Sequence, residues 1–154
     1  TDLTIYGNKM DWADAQNAAQ NEIYNGQGGY LATITSADEN LFIFNSYSPA
    51  NSGNLDAWIG GSDAAVEGVW EWITGPETGI NFFNGHMNSS NPVPGVYSNF
   101  HGSQPGWPPE TQDYAGIMFN NVGSGGFWHD DVGNKLHPFV VEHPDVATMQ
   151  SHQF

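Results

Sequence analysis

Oxygen donors crowd three short stretches of this chain. Residues 102–117, GSQPGWPPETQDYAGI, set Gln104, Glu110, Thr111, Gln112 and Asp113 among prolines and one tryptophan, Trp107, whose burial no apolar periodicity explains. GSDAAVEGVW places Asp63 and Glu67 four residues apart, and FWHD closes on His129 and Asp130. Carboxylates and amide carbonyls are hard donors, and about six to eight of them in an irregular shell suit calcium better than they suit zinc or copper. The imidazole of His129 fits softer metals, so that residue reads either as a hydrogen-bond donor to a bound hydroxyl or as an ordinary polar strand position. His86, His101, His129, His137, His143 and His152 show no His-Glu-x-x-His spacing, and there is neither a cysteine nor a Gly-x-Ser-x-Gly elbow to act as nucleophile. This pattern argues for binding rather than for an enzyme.

Composition limits what can hold these side chains. The 154 residues, 38% hydrophobic and 14% aromatic, suffice for one packed core, and the chain reads as a single domain over 1–154. Seventeen Asp and Glu face only Lys9 and Lys135, for a formal net charge of -15. Nucleic acid, which needs a basic face, and anionic membrane surfaces are not expected partners. The acidity has two readings: solubility through like-charge repulsion, or carboxylates gathered around divalent cations. Without cysteine there is neither a disulfide framework nor a thiolate metal site. No apolar run reaches the length of a membrane span, and residues 1–20 show no signal-like segment. The sequence therefore reads as soluble and, if exported, as a mature product or an excised domain.

The elements come in a simple order. DWADAQNAAQNE (11–22) carries Trp12, Ala15 and Ala19 on one helical face behind a capping Asp11. SADENLFIFNSY predicts a second helix, with Ser36 and Glu39 spaced as a capping box ahead of Leu41 and Phe44. After Pro49 the apolar runs are short and β-prone: AWIGG, GVWEWI, DYAGIMF, GGFWHD and PFVVEH. Between them lies a stretch rich in Gly, Asn, Ser and Pro, whose aromatics Phe82, Phe83, Tyr97 and Phe100 would anchor it to the body. Ordered loops of that length are usually functional.

Taken together and in this order, GGYLATITSADEN, AWIGGSDAAVEGVWEW, YSNF, QPG, QDY, FWHD and PFVVE resemble the C-type lectin-like domain over nearly the whole chain. The resemblance implies an α+β fold with two helices, small antiparallel sheets, neighbouring termini and a long ligand-binding loop at about 75–113. The family's usual disulfides are missing, with Tyr114 where one cysteine is expected, so the chain looks like the cysteine-free bacterial members found in surface adhesins of the RTX type. In lectin members an E-P-N or Q-P-D triplet and a later W-N-D triplet supply oxygens to one calcium ion. The matching positions here read Gln104-Pro105-Gly106 and Trp128-His129-Asp130, so one ligating residue is a glycine and another a histidine. The triplet's proline is typically cis in the family, which implies a cis bond before Pro105. An ungapped match puts Gln112 where the family has an acidic ligand. Glu110, two residues earlier, reaches the ion if the proline-rich loop shifts, and it is preferred because Asp130 would otherwise be the only carboxylate.

Asp63, Glu67 and Asp113 match an auxiliary calcium site of some members. Three converging carboxylates repel one another without a cation between them, although Asp63 and Glu67 also read as ordinary turn acids. The function implied is a calcium-dependent carbohydrate-binding module, extracellular or at the cell surface, serving as the glycan-binding domain of a larger bacterial adhesin. Gln104, Glu110 and Asp130 would hold the Ca2+ that meets a sugar diol, with Gln112 and His129 as hydrogen-bonding neighbours and Trp107 as a stacking wall or a loop anchor. Gln-Pro-Gly matches neither usual triplet, so fucose- or mannose-like and galactose-like diols both stay open. The alternative is a protein- or peptide-binding domain of the same fold with only structural calcium, which the Gly106 and His129 departures favour.

Overall fold

The computed structural model of the chain describes residues 2–47, 56–86, 91–106, 108–119 and 126–145. Asp11 starts the first helix by accepting the Asp14 N–H at 2.8 Å, which satisfies one donor that the first turn leaves orphaned. Helix α1 (Trp12–Asn21) then buries Trp12, Ala15 and Ala19. At α2 (Ala37–Tyr47), Ser36 Oγ accepts the Glu39 N–H at 3.1 Å and Glu39 Oε1 accepts the Thr35 N–H at 3.3 Å. The buried face of α2 centres on Asn40 rather than on Leu41. Leu41 is 50% exposed while Asn40, Ile43 and Phe44 are buried. Asn40 sets this phase, because its Oδ1 accepts the Trp128 Nε1–H at 2.8 Å and its Nδ2 donates to Gly126 O at 3.1 Å.

The strands among the described residues are β1 (Asp2–Met10), the short β2 (Ile23–Tyr24), β3 (Gln27–Gly28) and β4 (Tyr30–Leu31), then β5 (Asp56–Ser62), β6 (Val69–Trp72), β7 (Asn81–Asn84), β8 (Asn91–Pro92), β9 (Tyr114–Met118), β10 (Trp128–Asp131) and β11 (His137–His143). β2 and β3 pair apart from the rest. The others form one sheet with β1-β11-β5-β6-β7-β8 as successive neighbours, β4 added to β11, and β9 with β10 branching from β5. Their pairing is antiparallel except where β11 meets β5 in parallel at Phe139 and Trp58. Those two strands are almost wholly buried, as parallel pairs require. β7 and β8 fall inside the 75–113 stretch that the sequence reads as one irregular loop; four residues between Ile80 and Gly85 are too few for periodicity to announce a strand. Phe82 and Phe83 there are buried.

The core divides in two. Trp70, Trp72, Trp128 and Phe82 centre the larger cluster, and Trp12, Trp58 and Phe139 the smaller. At its border Glu142 of β11 is buried, with Oε2 accepting the Thr33 N–H at 3.0 Å, while Glu77 accepts the Thr33 hydroxyl at 2.7 Å. Burial, reinforced by the charges of Glu39 and Glu77, pushes the Glu142 carboxyl from 4.5 up to about 7. Because the folded value lies above the unfolded one, the folded state binds this proton more tightly, and the stabilisation is complete below 4.5 and lost as pH rises through about 7. Glu142→Gln keeps an acceptor for Thr33, so in denaturant titrations across that window it is expected to flatten the wild-type decline in stability.

Candidate cation and ligand site

Backbone hydrogen bonds bring the proline-rich loop to the end of β10. The Trp128 N–H donates to Asn99 O at 2.8 Å and the His101 N–H donates to Trp128 O at 3.0 Å, so residues 99–101 run beside the start of that strand. A turn follows, closed by the Gln104 N–H on His101 O at 2.7 Å. The Gln104–Pro105 bond is cis, as the resemblance implies. From there the Gly106 N–H donates to Asp130 Oδ1 at 2.5 Å and the Asp130 N–H approaches Gln104 Oε1 at 3.5 Å. On the other side, β9 pairs Ala115 with Asp130 and Tyr114 with Asp131, which leaves Gln112 just beyond the strand.

The glycine creates the space where these groups meet. A Cβ on Gly106 would stand 3.1 Å from Gln112 Oε1, 3.2 Å from Asp130 Oδ1 and 3.2 Å from Gln104 Oε1. Three segments thus point side-chain oxygens into one cradle. Asp130 is buried, its Oδ2 has no hydrogen-bond partner, and burial raises its carboxyl above the usual range against the opposing pull of the Gly106 N–H. Leaving a buried carboxylate oxygen unsatisfied is costly. An all-oxygen cradle with one such atom fits calcium.

Glu110 lies exposed on a single 3₁₀ turn, Pro109–Thr111, and is not among the three side chains nearest the Gly106 position. His129 faces elsewhere. Its ring packs across Gly116, with Nε2 2.7 Å from where a Cβ on that glycine would be and 3.4 Å from Asp56 Oδ2, because successive residues of a strand point to opposite faces. Trp107 lies outside the described residues.

A second group forms at the turn after β5. Asp63 is 1% exposed; its N–H donates to Asp113 O at 3.2 Å, and the Ser62 hydroxyl donates to the same carbonyl at 2.7 Å. Asp63 Oδ2 accepts the Gly68 N–H at 2.9 Å, while Oδ1 is buried without a partner. Burial first, then the Glu67 and Asp113 carboxylates, push Asp63 up to about 8, and burial also raises Asp113. Glu67 and Asp113 therefore each lie close enough to Asp63 for their charge to act on it. The structure adds His86, which sequence reasoning missed: one ligand atom from each of Asp63, Glu67 and His86 lies within 4.8 Å of the other two. No spacing in the sequence could have found it, since the end of β7 is brought to the Asp63 turn by the β6–β7 pairing and by the Gly85 N–H on Gly68 O.

Residues 8–142 match the C-type lectin domain. The chain belongs to that family. It is 33% identical over 134 residues to halomucin of Haloquadratum walsbyi, covering 87% of this chain but 1% of halomucin. To lectin BRA-3 of Megabalanus rosa it is 33% identical over 139 residues, covering 90% of this chain and 68% of that protein. The C-type lectin CEL-I from Cucumaria echinata superposes with a TM-score of 0.69 over 90% of this chain and 86% of that one; at 20% identity it shows the fold alone. C-type lectin domains are binding modules, so this one is not an enzyme. Among the described residues no helix is long and apolar enough to cross a membrane.

Cation binding to the folded state alone stabilises it by mass action. Heat unfolding is thus expected to have a higher midpoint in millimolar calcium than in chelator. Gly106→Ala, whose methyl would crowd the three cradle oxygens, is expected to narrow that gap. Equal midpoints for the wild type in calcium and chelator would count against calcium at either group.

Proposed function

We propose that this C-type lectin domain is a calcium-dependent carbohydrate-binding module, extracellular or at the cell surface, acting as the glycan-binding domain of a larger adhesin. The observation that carries the reading is the meeting of Gln104, Gln112 and Asp130 oxygens in the Gly106 cradle. Calcium, when bound, would supply positions at which two vicinal sugar hydroxyls replace water. Asp130 contributes the charge, and the cradle amides orient the diol, each accepting through its oxygen and donating through its NH2 group. Of the two residues that the sequence leaves for the acidic position, Gln112 is favoured by this geometry, with Glu110 at the rim and Trp107 as the stacking wall. Asp63, Glu67 and Asp113 hold a second, structural cation. Two features favour a protein- or peptide-binding role instead: a glycine at the third triplet position, and a His129 ring turned towards Asp56.

A glycan array read with and without chelator separates these readings. Binding to diol-bearing sugars is expected in calcium alone, abolished by Asp130→Asn, lowered by Gln112→Ala and weakened less by Glu110→Ala. Retained sugar binding in chelator, or capture of a peptide library with no glycan bound, would sink the calcium–sugar reading.

A further inference from the structure

We propose that the Asp63–Glu67–His86 group is a site for a divalent first-row transition ion of the zinc or cobalt type, rather than for the calcium that its carboxylates alone would select. The inference deepens the reading of this group as a cation site and rests on it. What changes the selection is the nitrogen. Imidazole suits zinc, copper, iron and nickel, whereas calcium prefers an all-oxygen shell. His86 Nε2 stands 3.5 Å from Glu67 Oε1, and the three ligand atoms fall within 4.8 Å of one another, close enough for one small ion to draw them together.

The placement of His86 is built into the backbone. Val69 and Trp70 of β6 pair with Asn84 and Phe83 of β7, and the Gly85 N–H donates to Gly68 O at 2.8 Å, so the end of β7 is clipped to the turn that carries Asp63 and Glu67. Gly68 has φ +79°, and a Cβ there would stand 3.2 Å from His86 Nε2. This residue must be glycine both for its backbone conformation and for the approach of the ring. The floor of the group is Asp63, buried, with Oδ2 held by the Gly68 N–H and Oδ1 lacking a partner. Glu67 and His86 form the partly open side, at 40% and 25% side-chain exposure, through which an ion enters. Asp113 completes the negative surroundings.

The contrast with the Gly106 cradle is chemical. Gln104, Gln112 and Asp130 present only oxygen there; the Asp63 group mixes carboxylates with one nitrogen. The two groups therefore sort ions, calcium to the first and a nitrogen-accepting ion to the second.

The test titrates zinc, cobalt(II) and calcium separately into the intact chain and into His86→Ala and Glu67→Gln, following the heat-unfolding midpoint and, for cobalt, the visible absorption. The expected result is saturable cobalt absorption that zinc displaces. His86→Ala is expected to lower cobalt affinity by on the order of tenfold or more, the loss that even an outer-shell partner can cause, while leaving the calcium response intact. Glu67→Gln, a near-isosteric change on an exposed residue, should weaken zinc and cobalt without unfolding the domain. If Glu67→Gln lowers the calcium response while His86→Ala changes no metal response, the group is a calcium site and the inference is overturned. If neither variant alters the response to any of the three ions, the cation-site reading of this group falls with it.

Discussion

The indole of Trp128 is the fixed point of this domain. Trp72, Phe82, Tyr97 and Phe100 surround it with ring centroids 5.5 to 5.9 Å away, and its Nε1–H is spent on buried Asn40 of α2. Its backbone simultaneously holds the loop through Asn99 and His101. One residue thus ties a helix, the aromatic core and the proline-rich loop together. Asp130, two positions along the same strand face, inherits that rigidity, which is what a preorganised binding group requires.

Three buried acids show how partners decide the state of a carboxylate. Asp131 meets His137 Nε2 at 2.9 Å and Lys135 Nζ at 3.2 Å, and these contacts with the Val132 N–H outweigh burial and hold its carboxyl below the usual range. Its neighbour Asp130 and the more distant Asp63 are left with an orphaned oxygen each, and both are raised by burial. With two basic side chains for seventeen acids, the chain has almost no internal cations to offer. Adjacent residues link the two unsatisfied groups: Gln112 reaches the Gly106 cradle, and Asp113 bonds through its carbonyl to Ser62 and Asp63.

Much of the fold was legible because it rests on local chemistry. The Asp11 cap and the Ser36–Glu39 box mark both helices, and the apolar runs around Trp58, Trp70, Ala115, Trp128 and Phe139 all became strands. Strand β1 was not read, because DLTIYGNKM is half-buried over Asp2–Tyr6 and exposed at Gly7, Asn8 and Lys9, with no buried alternation to betray it. Which face of α2 is buried was not legible, because helical phase depends on what Asn40 bonds across the core. The candidate site was visible as residue types, Gln104, Asp130, Asp63, Glu67 and Asp113, but not as an arrangement. That Gln112 Oε1 reaches the Gly106 cradle while Glu110 sits on an exposed 3₁₀ turn, and that His86 meets Glu67 through the β6–β7 pairing, are both facts of three-dimensional placement. Neither has a trace in linear spacing.

The pairing of β1 with β11 sets Asp2 opposite His143, so both described ends leave from one edge of the sheet. Tension applied at those two points peels the ladder open one rung at a time instead of shearing all of its hydrogen bonds together. Peeling starts at Asp2 and His143 and runs towards Tyr6 and Phe139. The Gly106 cradle, anchored through β9, β10 and Trp128, lies off this path. A pulling force at Asp2 and His143 therefore loads the β1–β11 edge before it reaches the Gly106 cradle.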